Sequence, residues 1–249
     1  MKLILTSDLH IGITSSKQID RMFGEIAELK PDILVNAGDY CGASMGWKSV
    51  RQITQITRAH LPTIPIVSVL GNHDYWCASG TARPRLIAFQ SNLARIGQVF
   101  DEHKIHWLDR DGIYDVPDTD IQVLGDSGWY ANSNPPTNDR NYLPVGIEGD
   151  TNSYLASKAY ARASTQLASL RPGSTRIWAS HFPVYKLGAD YKGDFETYSW
   201  SAQLGQVLTS EYNVSYILEG HSHYRREGPL VWNCGSDYSM PRYIGVGIE

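Results

Sequence analysis

Histidine, aspartate and asparagine recur at five places in the chain, each at the end of a short apolar run. The five segments are Asp8-Leu9-His10, Gly38-Asp39, Gly71-Asn72-His73-Asp74, Ser180-His181 and Gly220-His221-Ser222-His223. Five of the eight histidines fall in these segments, and none of the three cysteines does. Imidazole and carboxylate groups together suit Mn, Fe, Zn, Ni or Co. These residue types therefore predict a metal site without thiolate ligands.

The spacing within the segments favours more than one ion. Side chains two residues apart share a face of an extended chain, which pairs Asp8 with His10 and His221 with His223. The candidate metal ligands are Asp8, His10, Asp39, Asn72, His181, His221 and His223. A tetrahedral catalytic site with an open position takes three protein ligands. Seven candidates therefore predict two ions, bridged by one carboxylate and a hydroxide.

Each of these residues, taken singly, also has a purely structural explanation. Asp8 and Asp39 are typical of turns and helix caps, and Asn72 is typical of turns. His181 could be a hydrogen-bonded core histidine. The metal interpretation is favoured because all five segments follow predicted strands in the same way.

The elements that must position these segments are short apolar strands and amphipathic helices. The predicted strands are residues 2–7, 32–37, 65–70, 175–179, 214–218, 230–233 and 242–248; the predicted helices are residues 17–30, 50–60, 85–97 and 154–170, with a further helix after residue 200. Strands that alternate with helices indicate parallel strands with crossover helices. Ligands bind beyond the carboxyl ends of such strands, where the five segments lie.

The organisation of the chain predicts one α/β domain over residues 1–249, because no repeat, linker or low-complexity tract is found. Residues 130–152 and 182–200 are rich in polar and aromatic residues and lack periodicity, so they are predicted to border the site. No apolar run approaches the length of a membrane span, and the apolar run before Asp8 is too short for a signal peptide. A cytoplasmic protein is predicted.

The composition limits which classes of molecule the protein is expected to bind. The formal charge of −4 and the pI near 6.1 argue against nucleic acid as a partner. No membrane partner is predicted, and the oligomeric state is left open. The odd number of cysteines, Cys41, Cys77 and Cys234, disfavours a disulfide framework.

In their order along the chain, the five segments resemble the motifs of the calcineurin-like metallophosphoesterase family. The resemblance implies an α/β fold, a four-layer α/β/β/α sandwich with two mixed sheets and the metals at the strand ends. It also implies two ligand sets: Asp8, His10, Asp39 and His223 for one ion, and Asp39, Asn72, His181 and His221 for the other. By the same resemblance His73 is a catalytic residue near the leaving group, and Asp74 is the residue that orients it.

The activity implied by the resemblance is hydrolysis of a phosphate ester. Two ions clamp the phosphoryl oxygens, and a hydroxide bridging them attacks phosphorus in line. Protein serine/threonine phosphatases of this family carry Asp-Arg-Gly after the second segment, where this chain reads GDYCGASMG, and Glu after Asn-His, where it has Asp74. The chain is therefore more similar to the phosphodiesterase and small-phosphatase branches. Residues 233–236 also resemble a turn common in those branches.

Three functions remain open from the sequence. A phosphodiesterase acting on a small phosphate ester, including a nucleotide, is favoured, and a phosphomonoesterase with the same metal site is the alternative. A catalytically silent scaffold of the same fold would be expected to lack ligands, but all seven candidates and His73 are present. A nuclease is disfavoured by the acidic charge balance.

Overall fold

The computed structural model describes residues 1–42, 46–76, 82–130, 151–185 and 200–248. The strands are β1 (Lys2–Thr6), β2 (Ile33–Ala37), β3 (Ile66–Val69), β4 (Ile105–Trp107), β5 (Tyr114–Asp115), β6 (Ile121–Asp126), β7 (Thr175–Ser180), β8 (Val214–Glu219), β9 (Arg226–Glu227), β10 (Val231–Asn233) and β11 (Tyr243–Gly247). The helices are α1 (Ser16–Glu28), α2 (Trp47–His60), α3 (Asn72–Tyr75), α4 (Ala82–Glu102), α5 (Leu108–Asp111), α6 (Thr151–Ala168) and α7 (Ala202–Ser210).

The first sheet has the strand order β11-β1-β2-β3-β4. Strands β1 to β4 are parallel, and β11 closes the edge antiparallel to β1. Leu3 is paired with Ile33, and Val35 with Val67, so the strands are closely aligned. The carboxyl ends of β1, β2 and β3 therefore lie side by side at one edge.

The second sheet has the strand order β5-β6-β7-β8-β10-β9. Strands β6, β7, β8 and β10 are parallel, whereas β5 and β9 are antiparallel to their neighbours. Ser180, the last residue of β7, is paired with Glu219, the last residue of β8. Because of this register, the segments that follow β7 and β8 begin side by side at the same edge of the sheet.

Successive side chains of a strand point to opposite faces of the sheet, and each face packs against a different layer. In β1, Leu3 and Leu5 belong to a core between the sheets, together with Ile177 of β7 and Leu218 of β8. Ile4 points the other way, into a core that contains the apolar face of α1. Helices α1, α2 and α4 lie on the first sheet, and α6 and α7 lie on the second. The predicted fold class, a four-layer α/β/β/α sandwich with two mixed sheets, is confirmed.

Helix α1 shows how the local sequence produces one of these layers. Its N-terminus is fixed by a capping box, in which Ser15 accepts from the backbone N–H of Gln18 and the Gln18 side chain accepts from that of Ser15. Its buried face consists of Ile19, Met22, Phe23 and Ile26, at helical spacing. The helix ends at Glu28, two residues before the predicted end, and Lys30 adopts a positive φ of 50°.

The predicted strands and helices correspond to observed elements with shifted ends. Helix α4 is longer than predicted, and the short helices α3 and α5 were not predicted. The two predicted site-bordering loops fall largely on residues 131–150 and 186–199, which lie outside the described residues. The single-domain assignment stays a prediction. Among the described residues, a search for an apolar helix long enough to span a bilayer finds none.

Candidate metal centre

Side chains that follow β1, β3 and β7 converge on Asp39, which follows β2. Its Oδ2 lies 3.6 Å from His10 Nε2 and 3.5 Å from His181 Nε2. His73 Nε2 is 4.0 Å from the same oxygen. The Asp39 side chain is only 2% exposed. Segments from both sheets therefore meet at one buried carboxylate.

Asp8 forms a second centre of convergence beside Asp39. Its Oδ1 lies 3.5 Å from His223 Nε2 and 3.9 Å from His10 Nε2. The backbone N–H of His221 donates to both Asp8 oxygens at 3.1 Å. The N-terminal strand and the loop after β8 are thus joined through one side chain.

Asn72, His181 and His221 occupy the other side of the cluster. Asn72 Oδ1 is 3.1 Å from His181 Nε2. His221 Nδ1 is 3.2 Å from the same nitrogen. All seven predicted ligands are therefore brought together by the fold, whereas their division between two ions stays a prediction.

Three groups of these side chains have ligand atoms within 4.8 Å of one another: Asp8, His10 and His223; His10, Asp39 and His73; and Asp8, Asp39 and His181. The groups overlap, because Asp8, His10 and Asp39 each belong to two of them. The three groups therefore form one continuous cluster of possible metal ligands. His73 belongs to one group, so its placement is also compatible with metal binding.

Hydrogen bonds to carbonyl groups prepare two of the imidazoles as ligands. His10 Nδ1 lies 3.0 Å from the carbonyl oxygen of Cys41, and His181 Nδ1 lies 2.8 Å from that of Ala37. A nitrogen that faces a carbonyl oxygen carries the proton, which leaves the Nε2 lone pair toward the cluster. Burial lowers the pKa of His10 to about 4 and the pKa of His181 well below its usual value. Both rings are therefore neutral at neutral pH, as metal ligands must be.

The nitrogen and oxygen atoms that face the centre of the cluster are suited to bind a cation. His181 Nε2, an acceptor in this tautomer, lies 3.1 Å from the Asn72 oxygen and 3.5 Å from an Asp39 oxygen. Acceptor atoms that face one another in a buried site are destabilising unless a positive charge lies among them. Imidazole, carboxylate and amide donors together suit transition-metal ions. The residues present are therefore suited to hold metal.

The backbone of the ligands is strained. Five of the seven predicted ligands have positive φ angles: Asp8 (52°), His10 (43°), Asp39 (56°), His221 (65°) and His223 (53°). Such conformations cost about 1–3 kcal/mol each for non-glycine residues and are concentrated at functional sites. Contacts with the surrounding fold must therefore stabilise these conformations. This strain is independent evidence that the cluster is a functional site.

Two glycines allow the segments to approach closely. A Cβ added at Gly71 would lie 2.1 Å from Asp39 Oδ1, and one added at Gly220 would lie 2.9 Å from His181 Nδ1. Both distances are shorter than carbon–oxygen or carbon–nitrogen van der Waals contact. Only glycine therefore fits at these positions beside the cluster.

His73 lies at the open side of the cluster. Its side chain is 11% exposed and that of His223 is 19% exposed, whereas those of His10 and His181 are fully buried. The His73 backbone N–H donates to Asp39 Oδ1 at 2.9 Å, and its ring packs on Trp76 with centroids 3.7 Å apart. Burial lowers its pKa to about 3. A neutral imidazole thus borders the side from which a substrate would enter.

Asp74 was predicted to orient His73, but its hydrogen bonds serve the backbone. Oδ2 accepts from the N–H of Gly71 at 2.9 Å and of Tyr40 at 3.3 Å, and Oδ1 accepts from that of Cys41 at 3.0 Å. The His73 ring contacts the carbonyl of Gly42 instead. Burial raises the pKa of Asp74 to about 6. Asp74 therefore ties the loops after β2 and β3 together, as a positioning residue.

The sequence did not identify the turn that covers the cluster. The Tyr238 ring packs against the rings of His10 and His223, with centroids 4.8 and 4.9 Å away, and Tyr238 is 46% exposed. The carboxylate of Asp237 lies 3.7 Å from His223 Nδ1. Asn233, noted only as part of a turn, donates to the carbonyl of Gly220 at 2.8 Å and so braces the loop that carries His221 and His223.

A sequence model described as calcineurin-like phosphoesterase matches residues 1–225. This range contains all five segments. No curated protein matches the chain by sequence.

Solved structures share the fold. The phosphopantetheinyl hydrolase (PptH) of Mycobacterium tuberculosis has a TM-score of 0.69 and 17% identity, with 98% of this chain and 95% of that chain covered. A protein of Thermus thermophilus has a TM-score of 0.60 and 15% identity, with 96% and 90% covered. A putative 5′-nucleotidase from Staphylococcus aureus has a TM-score of 0.52 and 11% identity, with 98% and 52% covered. These similarities concern the fold.

Proposed function

The chain belongs to the calcineurin-like phosphoesterase family of metal-dependent hydrolases, and we propose that it hydrolyses a small phosphate diester at a two-ion centre. Asp8, His10, Asp39 and His223 would hold one ion, and Asp39, Asn72, His181 and His221 the other. Any two of Mn, Fe, Zn, Ni and Co suit these donors. The wider class of small phosphate esters includes nucleotides.

The observation that carries the proposal is the sharing of ligands between overlapping groups. Asp39 lies within 3.6 Å of imidazole nitrogens from both sheets, and Asp8 is placed similarly at the other end of the cluster. One buried carboxylate between two sets of donors is the arrangement that a bridging ligand requires. Two ions held there would neutralise phosphoryl oxygens and lower the pKa of a water between them.

The roles of the side chains follow from their exposure. The buried imidazoles of His10 and His181 have their Nδ1 atoms committed to carbonyl groups, so they hold metal and do not move protons. His73 borders solvent and is placed to contact the substrate. The negative charge of a bound phosphate ester raises the pKa of a neighbouring imidazole. His73 would then donate a hydrogen bond or a proton to the leaving oxygen.

The preference for a diester rests on the third segment, which ends in Asp74 where the protein phosphatases have Glu, and on the fifth, which reads GHSH. Both features resemble the phosphodiesterase and small-phosphatase branches. A phosphomonoesterase with the same centre is the second candidate.

The test is a paired assay with bis-p-nitrophenyl phosphate and p-nitrophenyl phosphate, run separately with Mn, Fe, Ni and Zn. We expect faster turnover of the diester, and loss of turnover when a chelator removes the metal. Preference for the monoester would establish the second candidate. Hydrolysis of neither compound with any metal would contradict the proposed activity and favour a silent scaffold.

Replacement of His73 by glutamine should separate catalysis from metal binding. If His73 acts on the substrate, kcat for the diester should fall about a hundredfold, the usual contribution of a positioned acid or base. The metal content, measured by elemental analysis, should stay at the wild-type level. The control is His60→Gln, since His60 lies on α2 and contacts Asp20. A parallel loss of metal and turnover in His73→Gln would make His73 a metal ligand.

A further inference from the structure

A groove lies beside the metal centre, on the far side of the turn formed by residues 237–240. Its volume is about 390 Å³. Ser239 and Met240 line it, while the preceding residue, Tyr238, packs on His10 and His223. Arg225, two residues after His223, lines it from the other side. The groove and the metal centre are therefore neighbours, separated by one turn of the chain.

The groove is positively charged. Its titratable lining consists of Arg21, Arg225, Arg242, Glu25 and Tyr243. Two of the arginines are already paired: Arg21 Nε lies 3.0 Å from Glu25, and a terminal nitrogen of Arg225 lies 2.6 Å from Glu227.

Arg242 supplies the uncompensated charge. It is half-buried, and in the part of the chain that the structure describes it has no carboxylate within ion-pair distance. A guanidinium is always charged and offers a planar set of donors that matches phosphate or carboxylate oxygens. The ligand that fits beside the Arg242 guanidinium is therefore an anion.

The wall between the groove and the metal centre is fixed by hydrogen bonds. Asp237 and Met240 exchange two backbone hydrogen bonds, at 3.2 and 2.8 Å. The Gln18 side chain donates to the carbonyl of Ser239 at 2.6 Å. The Ser236 hydroxyl accepts from the backbone N–H of Arg242 at 3.0 Å and lies 3.1 Å from its carbonyl oxygen. The backbone that carries Arg242 is thus held at a fixed position relative to Tyr238.

We infer that this groove is an anion subsite, in which Arg242 binds a second negatively charged group of the substrate. The inference rests on the proposed function and narrows its substrate class. The ester at the metal centre would carry a phosphate or carboxylate at its far end, and the exposed Tyr238 and Met240 would contact the part between. Arg242 would then determine specificity and would not take part in the chemical step.

The test compares two diesters that differ by one charged group. The first is p-nitrophenyl butyl phosphate, and the second carries an additional phosphate at the free end of the flexible butyl chain. We expect the wild-type KM to be about tenfold lower for the second compound, the effect of one charge-assisted contact. Arg242→Gln should remove this difference by raising the KM of the second compound to that of the first.

Two further variants complete the design. Arg242→Lys keeps the charge without the planar set of donors, so it should retain about a third of the KM difference. Arg51→Gln removes an equal charge from α2, where Arg51 is paired with Glu102, and should keep the whole difference. Equal KM values for both compounds in the wild type, or an unchanged difference in Arg242→Gln, would overturn the inference alone. Failure to hydrolyse either compound or bis-p-nitrophenyl phosphate would overturn the proposed function as well.

Discussion

Asp39→Asn is expected to reduce turnover of bis-p-nitrophenyl phosphate about a thousandfold. The reason is that a metal ion, acting as a Lewis acid, stabilises the transition state by several kcal/mol. Each 1.36 kcal/mol of lost stabilisation lowers the rate by a factor of about ten. Metal content should fall at both ion positions, as the Asp39 carboxylate lies within 3.6 Å of imidazole nitrogens on each side. An asparagine has the same shape but supplies one neutral oxygen and no negative charge. Elemental analysis and steady-state kinetics on the same preparation measure both effects.

Structural damage should be small in this variant. The backbone N–H of His73 donates to Asp39 Oδ1, and an asparagine oxygen can accept the same hydrogen bond. The φ angle of 56° at Asp39 is also tolerated by asparagine, which is among the residues most often found there. The temperature of unfolding of the metal-free variant should therefore be close to that of the metal-free wild type.

The matched control is Asp118→Asn. Asp118 adopts nearly the same backbone conformation, with φ of 59°, but it is an exposed residue in the turn between β5 and β6. This variant should bind metal and turn over substrate like the wild type. Full turnover and two ions per chain in Asp39→Asn would show that Asp39 is not a bridging ligand.

The clustering of the seven candidate ligands could be predicted from the sequence because their signal is local and repeated. Each ligand segment directly follows an apolar strand, and parallel strands in register end at one edge. Five such segments specify a common location without any knowledge of side-chain contacts. The order of the strands within the two sheets was not needed for this conclusion.

The conformation of the ligands could not be predicted in the same way. Asp8, His10, Asp39, His221 and His223 all have positive φ, which isolated residues of these types adopt only in a small minority of cases. Tertiary contacts stabilise these angles: for example, the backbone N–H of Asp8 donates to the carbonyl of Gly38, and that of His10 to the carbonyl of Asp39. These partners belong to the segment that follows another strand, β2, which a local pattern does not reveal.

Tyr238, Arg242 and the contacts of Asp74 were missed for a related reason. The Tyr238 ring packs against that of His10, more than two hundred residues away in sequence, and nothing in its neighbours indicates this contact. The position of Asp74 next to His73 suggested a direct interaction, but adjacent residues in helix α3 point in different directions. Asp74 instead reaches the loop after β2, where it accepts from Tyr40 and Cys41.

Gly71→Ala should have an effect comparable to that of Asp39→Asn, although it changes no ligand. The added methyl group would lie 2.1 Å from Asp39 Oδ1 and 2.5 Å from the Asp39 backbone nitrogen. These atoms cannot all be accommodated, so the carboxylate must move. The φ of −110° at Gly71 is allowed for alanine, and the expected effect is therefore steric and local to the metal centre.

The segments around residue 71 have little freedom to move and make space for the added methyl group. The Gly71 backbone N–H is fixed by Asp74, and a Cβ at Gly38 would lie 2.6 Å from the same nitrogen, so the segments after β2 and β3 are already in close contact. Displacement of a reacting group by about 1 Å costs on the order of a hundredfold in rate. Loss of metal adds to this cost, so turnover should fall about a thousandfold in total.

The matched control is Gly24→Ala in helix α1, where the nearest atom to the added Cβ is 3.6 Å away, on His60. Alanine is favoured over glycine inside a helix by about 0.5–1 kcal/mol, so this control should be fully active and slightly more stable. Metal content, turnover and the temperature of unfolding are measured for both variants. Wild-type turnover in Gly71→Ala would mean that the Asp39 carboxylate does not need its observed position. The bridging role of Asp39 would then have to be abandoned, even if Asp39→Asn were inactive.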